Sequence, residues 1–203
     1  MASKYDLIVV GSGPGGYVAA IRAAQLGSKV AIVEKAELGG VCLNWGCIPT
    51  KALIKSGQVF EYIQHADQYG ISVKDAKADA KAMVKRSRGV ADTMSKGVQF
   101  LLKKNKIDVL KGFGKLSKGK KVLVTDEHNT TTEYAGTNII IATGGRSRIL
   151  PNLPQDGKNI IGYRDAMVIE KTPKSMVIVG SGAIGVEFAY YYNAIGTEVT
   201  IVE

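Results

Sequence analysis

The sequence predicts an α/β protein with a β-α-β unit near each end of the chain, and three observations carry that expectation. The two ends resemble each other: Lys4–Lys35 reads KYDLIVVGSGPGGYVAAIRAAQLGSKVAIVEK, and Lys174–Glu203 reads KSMVIVGSGAIGVEFAYYYNAIGTEVTIVE. An offset of 169 superposes Gly11 on Gly180, Gly13 on Gly182, Gly16 on Gly185, Gly27 on Gly196 and Glu34 on Glu203. Each copy runs in the same order, from an apolar run through a glycine turn and a helical stretch to another glycine, a β-branched run and a glutamate. That order is the unit of a parallel sheet.

Between the copies, Ile48–Gln68 reads as a helix. Asp79–Asn105 reads as a longer one, because Ala80, Met83, Val84, Ser87, Val90, Ala91, Met94, Val98, Leu101 and Leu102 fall on one stripe at helical spacing. From Ile107 to Tyr134 the period shifts towards two, with glycine and lysine turns, which predicts a small antiparallel meander. Asn138–Ala142 (NIIIA) predicts a buried strand ending at Thr143-Gly144-Gly145. Arg146–Pro173, with Pro151, Pro154 and Pro173, reads as a crossover between domains.

The loop Gly11-Ser12-Gly13-Pro14-Gly15-Gly16 lies between a strand and a helix rich in small residues. In such a loop the first glycine permits a tight turn, the second lets a pyrophosphate approach the backbone, and the third lets helix and strand pack closely. The helix N-terminus then offers unpaired N–H groups and partial positive charge to phosphates. Glu34, 23 residues after Gly11 at the end of the next strand, is placed to accept hydrogen bonds from ribose hydroxyls. A lone glycine motif is weak evidence, but the whole constellation occurs twice, so both units are expected to be Rossmann-like nucleotide-binding folds. Glu203 favours a free 2′-hydroxyl over a 2′-phosphate, hence NAD over NADP at the second site. No GxxxxGK[ST] loop occurs.

The only two cysteines, Cys42 and Cys47, bracket Leu-Asn-Trp-Gly just beyond the first fingerprint. Ile48-Pro49 opens a helix there, with proline at an early position where its missing N–H costs little. The positive end of a helix raises the reactivity of a nearby thiol, and Lys51 adds charge one turn in. Two buried, independent cysteines are the plainer reading. The flanking Gly39-Gly40 and Pro-Thr-Lys tip the balance to a redox pair.

Composition narrows the function classes. In 203 residues, 45% hydrophobic content and 24 glycines fit a globular protein with many turns. No apolar run approaches the roughly 18 residues that span a bilayer, and the start shows no signal-peptide core, so a cytoplasmic location and no membrane are expected. The net charge of +9 invites a nucleic-acid reading, and eight lysines lie between Lys103 and Lys121. Only Phe113 interrupts them as an aromatic, and no nucleic-acid-binding motif accompanies them, so a solvated charged surface is expected. No metal is expected either, since His65 and His128 lie far from the cysteines and ligand spacing is absent.

The stretch LGGVCLNWGCIPTKAL resembles the redox-active disulfide segment of the class I pyridine nucleotide-disulfide oxidoreductases, and the resemblance extends over the whole chain. It is most similar to the NAD-linked branch that oxidises dihydrolipoamide. Glutathione and mercuric reductases usually show Val-Pro where this chain has Ile48-Pro49, and glutathione reductases tend to carry alanine at the position of Gly185. The resemblance implies FAD on the first fingerprint, with Gly11, Ser12, Gly13, Pro14 and Gly16 around the diphosphate and Glu34 and Lys35 at the adenosine ribose. It implies Val41, Cys42, Cys47 and Lys51 facing the flavin, Gly114 at the adenine end and Thr143-Gly144 along the cofactor. Cys42 would exchange with substrate, Cys47 would face the flavin ring, and Lys51 would pair with Glu187. Gly180, Gly182, Gly185 and Glu203 would hold NAD, with Ile184 near the nicotinamide. The implied organisation is an FAD-binding domain with the disulfide over residues 1–148 and an incomplete NAD-binding domain over 149–203.

The family runs to more than twice this length, and its remainder bears a dimer interface and a catalytic His–Glu pair. The chain is therefore expected to be an N-terminal portion without lipoamide turnover of its own. The whole protein is expected to be a homodimer serving the lipoyl domain of a 2-oxo acid dehydrogenase complex or the glycine cleavage system. Another disulfide reductase of the superfamily, of glutathione or mercuric type, and a short non-catalytic flavin-binding redox module are the alternatives.

Overall fold

Parallel strands need apolar residues on both faces and a crossover to bring the chain back. The runs LIVV and VAIV on either side of the first glycine turn supply both. The computed structural model describes residues 4–203. Strand β1 (Lys4–Val10) enters the turn, α1 (Pro14–Gln25) crosses over, and β2 (Val30–Glu34) returns parallel to β1, with Leu7 beside Val30 and Val10 beside Val33. Helix α1 begins on Pro14 because a first-turn residue needs no intrahelical N–H bond.

A short helix, α2 (Gly40–Trp45), and an 18-residue one, α3 (Cys47–Gln64), follow on either side of Gly46, then a 3-10 turn over Ala66–Tyr69. The expected helix over 48–68 thus starts one residue earlier and stops at Gln64. Helix α4 (Ala80–Lys104) matches the long amphipathic expectation within a residue at each end. Ala80, Val84, Ser87, Ala91, Val98 and Leu102 are buried along it. Met94 and Leu101 lie on the rim of the stripe and stay exposed.

Strands β3 (Asp108–Lys111), β4 (Phe113–Ser117), β5 (Lys121–Thr125) and β6 (Thr131–Ile141) complete a six-stranded sheet in the order β3-β2-β1-β6-β5-β4. Here the meander expectation is corrected. β3 pairs parallel to β2, Ala31 beside Asp108, and only β4, β5 and β6 are antiparallel. Gly112 makes the break: its φ of +146° lets the chain leave β3, and a Cβ there would stand 2.4 Å from the Thr125 carbonyl oxygen. The NIIIA strand is the second half of β6, which lies parallel to β1 after its first half has paired with β5, but it is not buried as expected: Ile140 and Ile141 are exposed. The crossover carries a single helical turn, α5 (Tyr163–Ala166), before β7 (Ser175–Val179), α6 (Ala183–Ala194) and β8 (Glu198–Val202) build the second β-α-β unit. β7 and β8 are parallel, Met176 beside Val199 and Val179 beside Val202, the register of the first copy shifted by 169 residues.

The chain packs as two units, one formed by residues up to Asn44 with Asp92–Ser147 and the other by Trp45–Ala91 with Arg148–Glu203. The first has its core in the sheet: Tyr5, Ile8, Val10, Ala31, Val33, Val122 and Val124. The second gathers Leu53, Ala80, Val84, Ala166, Met167, Phe188, Tyr191, Tyr192 and Ile195 from α3, α4, α5 and α6. The Tyr191 and Tyr192 rings meet edge to face with centroids 5.0 Å apart. Among the described residues, no helix is long and apolar enough to cross a membrane.

Candidate functional site

The first glycine loop is shaped by steric necessity. Gly11 has φ +104°, and a Cβ on it would stand 2.2 Å from the Ala142 carbonyl oxygen and 3.1 Å from Thr143 Cα. A Cβ on Gly16 would stand 1.9 Å from the Gly11 carbonyl oxygen, so α1 can approach β1 only with glycine there. At Gly13, by contrast, nothing lies within 4 Å of a Cβ position. Gly13 is the N-cap of α1 and has no side chain to cap it, so the helix N-terminus stands open beside free space. That is the cradle a diphosphate requires.

The acid at the end of β2 is fixed by the same loop. The Ser12 N–H and hydroxyl donate to Glu34 Oε2 at 2.9 and 2.7 Å. The Lys35 and Ala36 N–H groups donate to Oε1 at 2.9 and 3.0 Å. The Lys35 ammonium lies over the Phe113 ring. Gly114 sits on β4 against the ends of both fingerprint strands, where a Cβ would come 3.0 Å from Val10 and 3.1 Å from Val33.

Cys42 belongs to the same unit. Its helix α2 starts at Gly40, where a Cβ would stand 2.6 Å from Gly13 Cα. The Gly39 N–H donates to the Ser12 carbonyl at 3.1 Å and to the Ser12 hydroxyl at 3.3 Å. Asn44 closes the segment on itself by donating to the Leu38 and Gly40 carbonyls, both at 3.0 Å, and Ser95 of α4 donates to Leu38 at 2.8 Å. Val41 is exposed on this segment, Cys42 is half-buried, and Thr143 and Gly144 follow the end of β6 beside Gly11.

In the second unit, Cys47 is the first residue of α3 and is exposed. One turn on, the Lys51 ammonium donates to the Glu187 carboxylate on α6. Two further contacts lock these helices together. Gly57 faces Ala194, and the Tyr190 hydroxyl donates to Glu61. Trp45 is stacked between two guanidinium groups, Arg88 at 4.2 Å and Arg164 at 5.1 Å.

The second glycine loop repeats the first. Gly180 has φ +107°, a Cβ on Gly185 would stand 2.2 Å from the Gly180 carbonyl oxygen, and Gly182 opens on free space as the N-cap of α6. The Ser181 N–H donates to the Glu203 carboxylate, and this bond holds the Glu203 carboxyl below the usual carboxylate range. Ile184 is exposed in the first turn of α6. The structure thus brings Gly11, Ser12, Gly13, Pro14, Gly16, Glu34, Lys35, Val41, Cys42, Gly114, Thr143 and Gly144 into one unit. Cys47, Lys51, Gly180, Gly182, Ile184, Gly185, Glu187 and Glu203 fall in the other. Sequence reasoning missed Ser181 as the partner of Glu203, although the 169-residue offset that pairs it with Ser12 was the available signal. It also missed the helical form of Gly40–Trp45, because two consecutive glycines read as a turn. Among the described residues, no group of three or more His, Cys, Asp or Glu side chains could hold a metal ion.

The family model for pyridine nucleotide-disulphide oxidoreductases matches residues 5–203. Over its full length the chain is 48% identical to a dihydrolipoyl dehydrogenase of Rhizobium etli and 50% identical to one of Chlorobaculum tepidum, covering 45% and 43% of those proteins. Among solved structures, LpdA from Mycobacterium tuberculosis superposes with a TM-score of 0.90 at 26% identity, over 98% of this chain and 44% of that one. The chain spans less than half the length of these relatives. Two glycine loops of one design, with the Cys42 segment seated on the first of them, agree with the matches: the chain belongs to the pyridine nucleotide-disulphide oxidoreductase family.

Proposed function

We propose that the protein is a dihydrolipoyl dehydrogenase, oxidising protein-bound dihydrolipoamide to lipoamide with NAD as acceptor through FAD and the Cys42–Cys47 pair. Membership of the family implies FAD and NAD as cofactors. The observation that carries the reading is the seat of the Cys42 segment on the first phosphate loop, Gly39 bonded to Ser12 and Gly40 packed on Gly13. A thiol on that segment is tethered to the loop that would hold a flavin dinucleotide.

The residues fit these cofactors in stated roles. Gly11, Gly13 and Gly16 would take the FAD diphosphate at the N-terminus of α1, and Glu34 would take the adenosine ribose. Residues 1–148 would form the FAD-binding domain. Residues 149–203 would form part of the NAD-binding domain, with Gly180, Gly182, Gly185 and Glu203 on the dinucleotide. Bound FAD supplies a two-electron acceptor for the dithiol and a hydride donor to NAD⁺. The cysteines do the thiol chemistry. With the pair oxidised, a substrate thiolate attacks Cys42 Sγ, the Cys42–Cys47 bond breaks and Cys47 leaves as thiolate. The second substrate thiol displaces Cys42 and closes the cyclic disulfide, its proton ending on the departing Cys42 sulfur, so the substrate loses two electrons and the pair gains them. Lys51, paired with Glu187, holds positive charge one turn from Cys47.

The partner in this reading is the lipoyl domain of a 2-oxo acid dehydrogenase complex or of the glycine cleavage system. The whole protein acts as a homodimer in the cytoplasm. The test is a titration of the purified chain with FAD, followed by flavin fluorescence, and a thiol count after mild oxidation. Saturable FAD binding, loss of two thiols per chain without cross-linking, and their return on adding dihydrolipoamide are expected. A chain that ignores FAD, or whose oxidised thiols dihydrolipoamide does not restore, sinks the reading.

A further inference from the structure

The two serines that hold the two ribose acids occupy equivalent positions but different surroundings. Ser181 is exposed. Ser12 has no exposed surface at all, and its contacts reach three chain segments. It donates twice to Glu34 at the end of β2, it belongs to the fingerprint loop, and it accepts the Gly39 N–H through both its carbonyl and its hydroxyl. The same serine hydroxyl therefore touches the acid expected to receive the ribose and the backbone that leads, three residues later, to Cys42.

We infer that Ser12 is a positioning residue that couples occupancy of Glu34 by a nucleotide ribose to the placement of the Cys42 segment. The inference rests on the first fingerprint binding an adenine dinucleotide. Its physics is a relay through one hydroxyl, which donates its proton to the carboxylate at 2.7 Å and at the same time accepts the Gly39 N–H at 3.3 Å. When ribose hydroxyls donate to Glu34 and fix the carboxylate, the Ser12 hydroxyl is fixed with it, its lone pair is held towards Gly39 and the bond from Gly39 tightens. Gly40 already abuts Gly13, so a tighter Gly39 bond leaves α2 less freedom to move away from the loop. The acid and the thiol are then coupled through a single buried side chain, without a domain motion.

The experiment uses ADP, which supplies adenine, ribose and diphosphate but has no flavin ring to shield a thiol. Alkylation of Cys42 by iodoacetamide is followed by peptide mass spectrometry on the full chain, with Cys47 in the same digest as reference. In the parent, saturating ADP is expected to slow Cys42 alkylation about fivefold, a coupling of ordinary size. In Ser12→Ala, ADP is expected to bind about tenfold more weakly, the effect of one lost hydrogen bond to a charged group. At saturation it should change the Cys42 rate less than twofold. Glu34→Gln, which keeps the side-chain shape but presents an amide to the hydroxyl, is expected to lose the coupling in the same way and decides the matter if Ser12→Ala does not fold. Parent protein that binds ADP without any change at Cys42, or Ser12→Ala that retains the full slowing, overturns the coupling while leaving the cofactor reading intact. Failure of ADP to bind the parent overturns both.

Discussion

At the residue scale, the first loop works because specific atoms are missing. Gly11 combines φ +104° with a Cβ position 2.2 Å from a backbone oxygen, so substitution there meets both conformational strain and a clash that no side-chain rearrangement relieves. Gly11→Ala is therefore expected to destabilise the first unit by about 2 kcal/mol or more, and to abolish FAD binding because the loop must open to relieve the contact. Denaturant unfolding and FAD fluorescence check the two effects. A variant with parent-like stability and affinity would contradict the geometry. The steric demands on Gly11 and Gly16 were legible in the sequence because each follows from a local rule about turns and close approach. The contacts of Ser12 were not. Its meeting with Gly39 depends on where the chain goes after β2, and spacing alone does not encode that.

At the element scale, α3 and α6 pack face to face through contacts that recur along both helices: Lys51 with Glu187, Gly57 with Tyr191 and Ala194, and Glu61 with Tyr190. Gly57 is buried in the middle of this seam, and a Cβ on it would stand 3.2 Å from the Ala194 Cβ. Gly57→Leu should therefore overpack the seam, cost about 1–3 kcal/mol and part the charged pair at its head. A lowered unfolding midpoint with unchanged denaturant dependence is the expected readout, and an unchanged midpoint would mean the helices have room to spare. The helices themselves were readable, α4 from its 3.6-residue stripe and almost to the residue. Their partners were not, since periodicity shows that a face is apolar but not what covers it. β3 illustrates the same limit. Its residues look like any short strand, and only Gly112 and the neighbouring β2 make it parallel rather than the first arm of a hairpin.

At the scale of the whole molecule, the internal repeat made the architecture legible before any contact was known. One β-α-β grammar occurs twice, and register, glycine geometry and acid latch all recur at the offset of 169. The grouping of Trp45–Ala91 with the C-terminal segment was hidden, because it arises from Leu53, Ala80 and Val84 meeting α6 across more than a hundred residues of chain. Both units also bury tyrosines in their cores, which makes the stability of the molecule sensitive to alkali. In the first, burial and the hydrogen bond to Asp108 push the Tyr5 hydroxyl from its ordinary value near 10 up to about 12. In the second, burial raises Tyr191 to about 12 and Tyr192 higher still. A raised folded value means that the folded state keeps its phenolic protons where the unfolded chain has begun to lose them. The stabilisation is complete below pH 10 and is lost as pH rises through the window from 10 to 12. Each such tyrosine withdraws at most about 1.4 kcal/mol per pH unit within that window. Unfolding free energy measured against pH should fall steeply there, and Tyr5→Phe should remove the share belonging to the first unit while losing the Asp108 bond at neutral pH. A variant as steep as the parent above pH 10 would mean that Tyr5 already ionises as freely in the fold as in the open chain, against its burial in the sheet core.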